Sequence, residues 1–151
     1  SDSLIAKNKR AYHDYEIIDT YEAGIALQGT EVKSLRAGHL ILKDSYIDVQ
    51  KNEMFLKNAH IPPYEQGNRF NHEPERPRKL LMHKHEIIRI GSKVDEKGMT
   101  LIPLRVYFKR GRVKIQVGLC KGKDHADKRH ALKAQEAKRD MDRAVRDAQK
   151  E

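Results

Sequence analysis

Two neighbouring stretches in the second half of the chain alternate strictly between apolar and polar residues, and they restrict the fold more than any other feature. Gly111 lies between them, at a position suited to a tight turn. A period of two places one face of each stretch in a core and the other in solvent, so the pattern predicts a β-hairpin. The residues on the inward face are Ile102, Leu104, Val106 and Phe108, followed by Val113, Ile115, Val117 and Leu119.

The opposite face of this hairpin is basic. The chain has a net charge of +9 and a pI near 9.6, which indicates a polyanionic partner, and nucleic acid is favoured over a membrane. Lys and Arg release counterions from phosphates, and an aromatic ring between them offers a base a stacking platform. The alternative is an ordinary solvated face of an antiparallel sheet. The outward residues are Arg105, Tyr107, Lys109, Arg112, Lys114 and Gln116.

Further strands are predicted upstream. Residues 14–27 are rich in β-branched and aromatic residues, with a kink expected at Gly24. Residues 45–61 predict a second hairpin around Lys51 and Asn52.

Two helical segments interrupt these strands. Residues 29–38 predict a short helix that Thr30 caps and Gly38 ends. Residues 79–98 predict a longer one, because apolar residues recur near a period of 3.6, with a fresh turn possible at Ser92. A long loop, residues 61–79, holds four of the five prolines. The predicted fold class is mainly β: an OB-like antiparallel barrel of about six strands with two or three flanking helices.

The last 31 residues have a different composition. Residues 121–151 carry 10 Lys and Arg against 7 Asp and Glu, and they are rich in good helix formers. Such a segment buries too little apolar surface to fold alone, so it needs a surface to order it. We therefore predict a barrel domain in residues 1–120 and a basic C-terminal tail in residues 121–151. The alternative is a tail helix docked on its own domain through Ala134, Ala137, Met141, Ala144 and Ala148.

No motif for catalysis, a cofactor or a metal can be identified. His83 and His85 would point about 200° apart on a helix, so they could not chelate from one face. Residues 118–124 lack the spacing of a phosphate-binding loop. A single cysteine, Cys120, excludes an intramolecular disulfide and fits a reducing cytoplasm. We expect a cytoplasmic, non-enzymatic protein without cofactors and without a membrane partner. A histidine-based ribonuclease is a distant alternative.

Four longer motifs run in order along almost the whole chain. They are NKRAYHDYEI at 8–17, TYEAGIALQGTEVKSLRAG at 20–38, RKLLMHKHEI at 78–87 and GLCKGKDHADKR at 118–129. Together they resemble the small protein B (SmpB) family, the bacterial SsrA-binding proteins.

The resemblance implies an RNA-binding factor of trans-translation that is not an enzyme. Its expected partner is transfer-messenger RNA (tmRNA, or SsrA RNA), whose tRNA-like part lacks an anticodon stem that the protein replaces. Further expected partners are the small ribosomal subunit, with the rRNA of its decoding centre and mRNA channel, and the complex of alanyl-tmRNA with elongation factor Tu. The alternative that composition alone permits is a general single-stranded-RNA-binding or ribosome-associated OB-fold module.

The resemblance also implies an RNA-binding set of residues. Asn8, Glu22 and Leu81 match the family's RNA-contacting positions. Leu81 also fits the core face of the predicted helix, and Glu22 can face RNA only by accepting hydrogen bonds from base or ribose groups. The candidate phosphate contacts beside them are Lys9, Arg10, Lys33 and Arg36.

The tail supplies the second implied set. In the family it is disordered in the free protein and helical inside the ribosome, where residues 127–129 lie near the decoding centre. Asp124 and Ala126 depart from the family's usual Lys and aromatic ring, which leaves His125 as the candidate for the ring contact. The tail set is Lys121, Gly122, Lys123, His125, Asp127, Lys128, Arg129, Lys133, Lys138, Arg139, Arg143 and Arg146.

Overall fold

A computed structural model of the chain describes residues 3–96 and 98–123, with side chains for all of these except residues 67–69. The described part contains seven strands, three α-helices and one 3₁₀ helix, Glu65–Phe70. The strands are β1 Ser3–Lys7, β2 Tyr15–Ile25, β3 Tyr46–Gln50, β4 Glu53–Lys57, β5 Arg78–Leu81, β6 Met99–Lys109 and β7 Arg112–Gly122. The α-helices are α1 Lys9–Asp14, α2 Gly29–Arg36 and α3 Lys84–Val94.

The sheet closes on itself. Six strands follow one another in the order β6-β3-β4-β5-β2-β7, and β7 pairs with β6 to complete the ring. All these pairings are antiparallel, and β1 pairs with the C-terminal half of β6, residues 105–108. The structure confirms the OB-like barrel with flanking helices. The strand β1 and the helix α1 were not predicted.

Both predicted hairpins are confirmed, and each turns through two residues with positive φ. Arg110 and Gly111 join β6 to β7, with φ of 53° and 78°. Lys51 and Asn52 join β3 to β4, with φ of 51° and 64°. Two successive residues of this kind make the type I′ turn, whose twist matches that of the paired strands.

A bulge in β6 changes which residues face the core. The register shifts between Pro103 and Arg105, which leaves Leu104 as an extra residue. Val106 therefore packs in the main core, whereas Ile102 and Leu104 pack outside the barrel against Ala11 and Cys120. The prediction of one inward face for the whole stretch was wrong at these two residues. Leu104 fits because Gly118 opposite has no side chain, and a Cβ there would lie 2.7 Å from a Leu104 methyl carbon.

The boundaries of the second predicted helix were wrong at its start. Leu80 and Leu81 lie in β5, where Leu80 is buried and Leu81 is exposed, and α3 begins only at Lys84. No fresh turn begins at Ser92, because α3 continues through it to Val94. Leu80 and Leu81 fit the 3.6-residue period of a helix, but in β5 they alternate between the buried and the exposed side of a strand.

The first predicted helix is present with a different cap. It is α2, and its N-cap is Gln28, not Thr30. The Glu31 carboxylate accepts a hydrogen bond from the Gln28 N–H at 2.7 Å, while the Thr30 hydroxyl pairs with His72 Nδ1 at 2.8 Å. Gly38 ends the segment with a φ of 85°, as expected.

Cys120 is a packing residue, as predicted. Its side chain is fully buried beside Leu104, and burial raises the pKa of its thiol to about 12. Because the thiolate is the reactive form, we expect the native protein to resist a thiol reagent such as dithionitrobenzoate at pH 8 and the denatured protein to react with one equivalent. Rapid labelling of the native chain would contradict this packing.

No helix among the described residues is both long enough and apolar enough to cross a membrane.

Candidate nucleic-acid interface

Two cross-strand rows of side chains lie side by side on the outside of the barrel. Each row is fixed by strand register, because residues paired across a sheet project from the same face. We call these two rows the outer face. One row runs Glu22, Gln116, Arg105, Lys7 across β2, β7, β6 and β1. The other runs Leu81, Gly24, Lys114, Tyr107, Leu4 across β5, β2, β7, β6 and β1.

Glu22 is a carboxylate held in place on this face. It accepts a short hydrogen bond from the Tyr107 hydroxyl, and Lys109 Nζ lies 3.4 Å from both of its oxygens. The hydrogen bond from Tyr107, and after it that from Lys109, lowers the pKa of Glu22 below the usual value for a glutamate. Glu22 is therefore an ionised, oriented acceptor among cations, which suits it to the N–H groups of a base more than to a phosphate.

Leu81 is an apolar platform on the same face. Its side chain is 50% exposed, and it lies over the backbone of Gly24, where an added Cβ would be 3.4 Å from Leu81 Cβ. The alternative that placed Leu81 in a helix core was wrong, because Leu81 is on a strand and faces solvent. The register thus brings Glu22 and Leu81, two of the RNA-contacting positions implied by the resemblance, to one surface.

Asn8, directly after β1, has a structural role. Its side chain accepts from the Ala11 N–H at 3.2 Å and donates to the Pro103 carbonyl at 3.0 Å, so it caps α1 and ties it to β6. Lys9 and Arg10 follow on the exposed first turn of α1. Arg10 pairs with Asp14 at 3.3 Å on the surface, a contact weak enough for a phosphate to replace.

Lys33 and Arg36 belong to a different element, α2, and are exposed there. Lys33 Nζ lies 5.6 Å from the centre of the Tyr64 ring, a cation–π contact with the long loop. These two cations are therefore grouped with the loop of residues 61–77 and not with the two rows of the outer face.

A buried ion cluster, which the sequence did not predict, fixes α2 to that loop. Glu31 and Arg78 are both fully buried, and Arg78 Nη2 lies 2.7 Å from Glu31 Oε2. Arg76 donates to the other oxygen of Glu31 at 2.6 Å. Burial alone raises the pKa of Glu31, but the hydrogen bonds from Arg76, the Gln28 N–H and Arg78 outweigh it and leave the pKa lowered. The sequence gives no signal that distinguishes these charges from solvated ones.

The histidines give no metal site in the described part of the chain, where no group of three ligating side chains occurs. The argument that His83 and His85 point apart was wrong, because His83 precedes α3 as its N-cap. Their rings stack, with centroids 5.7 Å apart and an interplanar angle of 17°.

The beginning of the predicted tail continues the barrel. Lys121 and Gly122 are the last residues of β7, and the Lys123 N–H donates to the Asp14 carbonyl at 3.1 Å. The boundary drawn between residues 120 and 121 thus falls within a strand. The other tail candidates lie outside the described residues: His125, Asp127, Lys128, Arg129, Lys133, Lys138, Arg139, Arg143 and Arg146.

The closed barrel and its charged outer face define an OB-like protein with the surface of an RNA-binding module. Comparison with known proteins is more specific. The family model described as SmpB protein matches residues 5–147. The chain belongs to the SmpB family.

Its relatives include the SsrA-binding protein of Desulforamulus reducens, 63% identical over 97% of this chain and 91% of that protein. The SsrA-binding protein of Carboxydothermus hydrogenoformans is 56% identical over 96% of this chain and 97% of that protein. Among solved structures, one described as "tmRNA-SmpB: a journey to the center of the bacterial ribosome" matches with a TM-score of 0.68 and 50% identity. That match covers 85% of this chain and 94% of the other.

Proposed function

We propose that this protein binds the tRNA-like part of tmRNA through its outer face and acts in trans-translation. The observation that carries the proposal is the cross-strand register that puts Glu22 and Leu81 on one face with Arg105, Lys114 and Tyr107. The relatives are SsrA-binding proteins, and the matching solved structure is described as tmRNA with SmpB.

The side chains of this face divide the binding task. Lys7 and Lys114 supply positive charge for phosphates, which strengthens binding without reading sequence. Leu81 and Tyr107 supply surfaces for an unstacked base or ribose, and Glu22 supplies a fixed acceptor. This combination of side chains is better suited to a folded RNA with exposed bases than to a uniform phosphate backbone.

Residues 9, 10, 33 and 36 extend the proposed RNA contact beyond the outer face. Lys9 and Arg10 lie on α1 directly after β1, so they adjoin the row that ends at Lys7. Lys33 and Arg36 lie on α2 beside the long loop, where they would meet a different segment of the RNA.

The remaining steps are also part of the proposal. The protein helps to deliver alanyl-tmRNA with elongation factor Tu to ribosomes stalled without a stop codon, in the cytoplasm. Residues 124–151, which follow Lys123 in the sequence, enter the decoding centre and the empty mRNA channel of the small subunit. Their 8 Lys and Arg residues suit a channel walled by phosphate.

A charge placed on the outer face tests the proposed RNA site. We expect Leu81→Glu to weaken binding of the tRNA-like domain at least about tenfold, because it puts a second carboxylate against the RNA. Ile88→Glu is the matched control, since Ile88 is 45% exposed and lies on α3. Filter binding of both variants measures the difference. Equal losses in the two variants would show that net charge, and not this face, determines affinity.

A further inference from the structure

A depression opens on the outer face between β1, β2, β6 and β7. Its volume is about 320 Å³, and its walls come from both rows of the face. The lining residues are Leu4, Glu22, Arg105, Tyr107 and Gln116.

Arg105 lines this depression and carries one unpaired hydrogen-bond donor. Its Nε is shielded from solvent and has no hydrogen-bond partner in the described part of the chain. A buried donor without a partner costs stability, so such a group at the wall of a binding depression indicates a missing acceptor.

Glu22 provides the opposite chemistry in the same depression. Tyr107 and Lys109 orient its carboxylate, but both Lys109 contacts are long at 3.4 Å, so each oxygen can still accept a hydrogen bond from a ligand. Although both side chains line the depression, Arg105 and Glu22 make no ion pair there. A ligand between them must present donors on one side and acceptors on the other.

We propose that this depression binds one unpaired guanine of the RNA, with Glu22 and Arg105 reading two edges of the base. Guanine presents N1–H and N2–H₂ to the carboxylate, and it presents O6 and N7 to the guanidinium. No other RNA base has two adjacent donor groups on one edge and two adjacent acceptors on the next, so adenine, cytosine and uracil would each leave part of this arrangement unpaired. Leu4, which is 56% exposed, provides an apolar contact for the ring. The inference rests on the proposed function, because it names what one part of the RNA face recognises.

The test replaces single atoms of the RNA. Each unpaired guanosine of the tRNA-like domain is changed in turn to inosine, which lacks the N2 amino group, or to 7-deazaguanosine, which lacks N7. Full-length wild-type, Glu22→Gln and Arg105→Lys proteins are compared, and circular dichroism checks that each is folded. Arg89→Lys is the matched control, because Arg89 is exposed on α3 and does not line the depression.

We expect one guanosine at which both replacements weaken wild-type binding about fivefold or more. The inosine penalty should fall below about twofold in Glu22→Gln, and the 7-deazaguanosine penalty should fall below about twofold in Arg105→Lys. Arg89→Lys should keep both penalties. Two results would overturn the guanine site while wild-type protein still prefers the tRNA-like domain. Either no guanosine shows a penalty, or the penalties persist in both Glu22→Gln and Arg105→Lys. Loss of that preference, measured against an unstructured RNA of equal length, would overturn the proposed function as well.

Discussion

Glu31→Ala is expected to destabilise the protein by about 3–5 kcal/mol, since it leaves a fully buried arginine without its counter-ion. Arg78 would keep its hydrogen bonds to the carbonyls of Ala59 and Pro74, both within 2.9 Å, but not the carboxylate that balances its charge. The loop of residues 61–77 would also lose one of its links to α2, the pair of Arg76 with Glu31. Urea denaturation followed by circular dichroism measures the change in the free energy of unfolding.

Glu53→Ala is the matched control for this prediction. It removes a surface pair with Lys79 in which both side chains are 48% exposed, and such a pair contributes at most about 1 kcal/mol. If Glu31→Ala costs no more than Glu53→Ala, the buried cluster does not stabilise the fold.

The pH dependence of stability gives a second readout of the same cluster. The pKa of Glu31 is lower in the folded protein than in the unfolded chain. Its ionised form therefore stabilises the fold fully above the usual glutamate pKa of about 4.5, and this stabilisation is lost as the pH falls through the folded-state pKa. Glu31→Gln should therefore flatten the decline in stability below pH ~4.5. An unchanged slope would mean that other carboxylates dominate acid unfolding.

Replacing Asp127, Lys128 and Arg129 together by Ala should nearly abolish peptide tagging at stalled ribosomes. The proposal assigns these residues to the decoding centre, so affinity for the isolated tRNA-like domain should change by less than about threefold. Tagging in a reconstituted translation system and RNA binding would be measured on the same protein. A large loss of RNA affinity would show that the tail and the barrel do not divide the two tasks.

The control for this variant removes the same set of charges elsewhere. Lys84, Arg89 and Glu96 are exposed residues of the described part, and their replacement by Ala also lowers the net charge by one. This triple variant should retain tagging. If it loses tagging equally, net charge accounts for the effect.

The two hairpins could be predicted from sequence because period-two alternation and turn residues agree at both. The bulge at Leu104 could not, since one extra residue reverses the facing of Ile102 without changing the apolar pattern. Strand β1 was missed for a similar reason. Its register shifts between Leu4 and Ala6, so its five residues do not alternate cleanly.

The candidate site was only partly visible in the sequence. The resemblance pointed to Glu22 and Leu81, but their common surface depends on strand register across β5 and β2, which no local pattern encodes. Leu4 lies in the site because β1 pairs with β6, which places Leu4 opposite Tyr107; that pairing was not predicted. The buried Glu31 and Arg78 were equally hidden, because burial of a charge is decided by the loop that covers it.

The most direct test of RNA recognition compares two RNAs over a salt series. The full chain is bound to the tRNA-like domain of tmRNA and to an unstructured RNA of equal length, because phosphate contacts alone weaken with salt similarly on both. Shape-specific recognition by the outer face predicts a preference for the folded RNA that persists at high salt. Equal affinities with the same salt dependence would contradict it and indicate a general single-stranded-RNA-binding module.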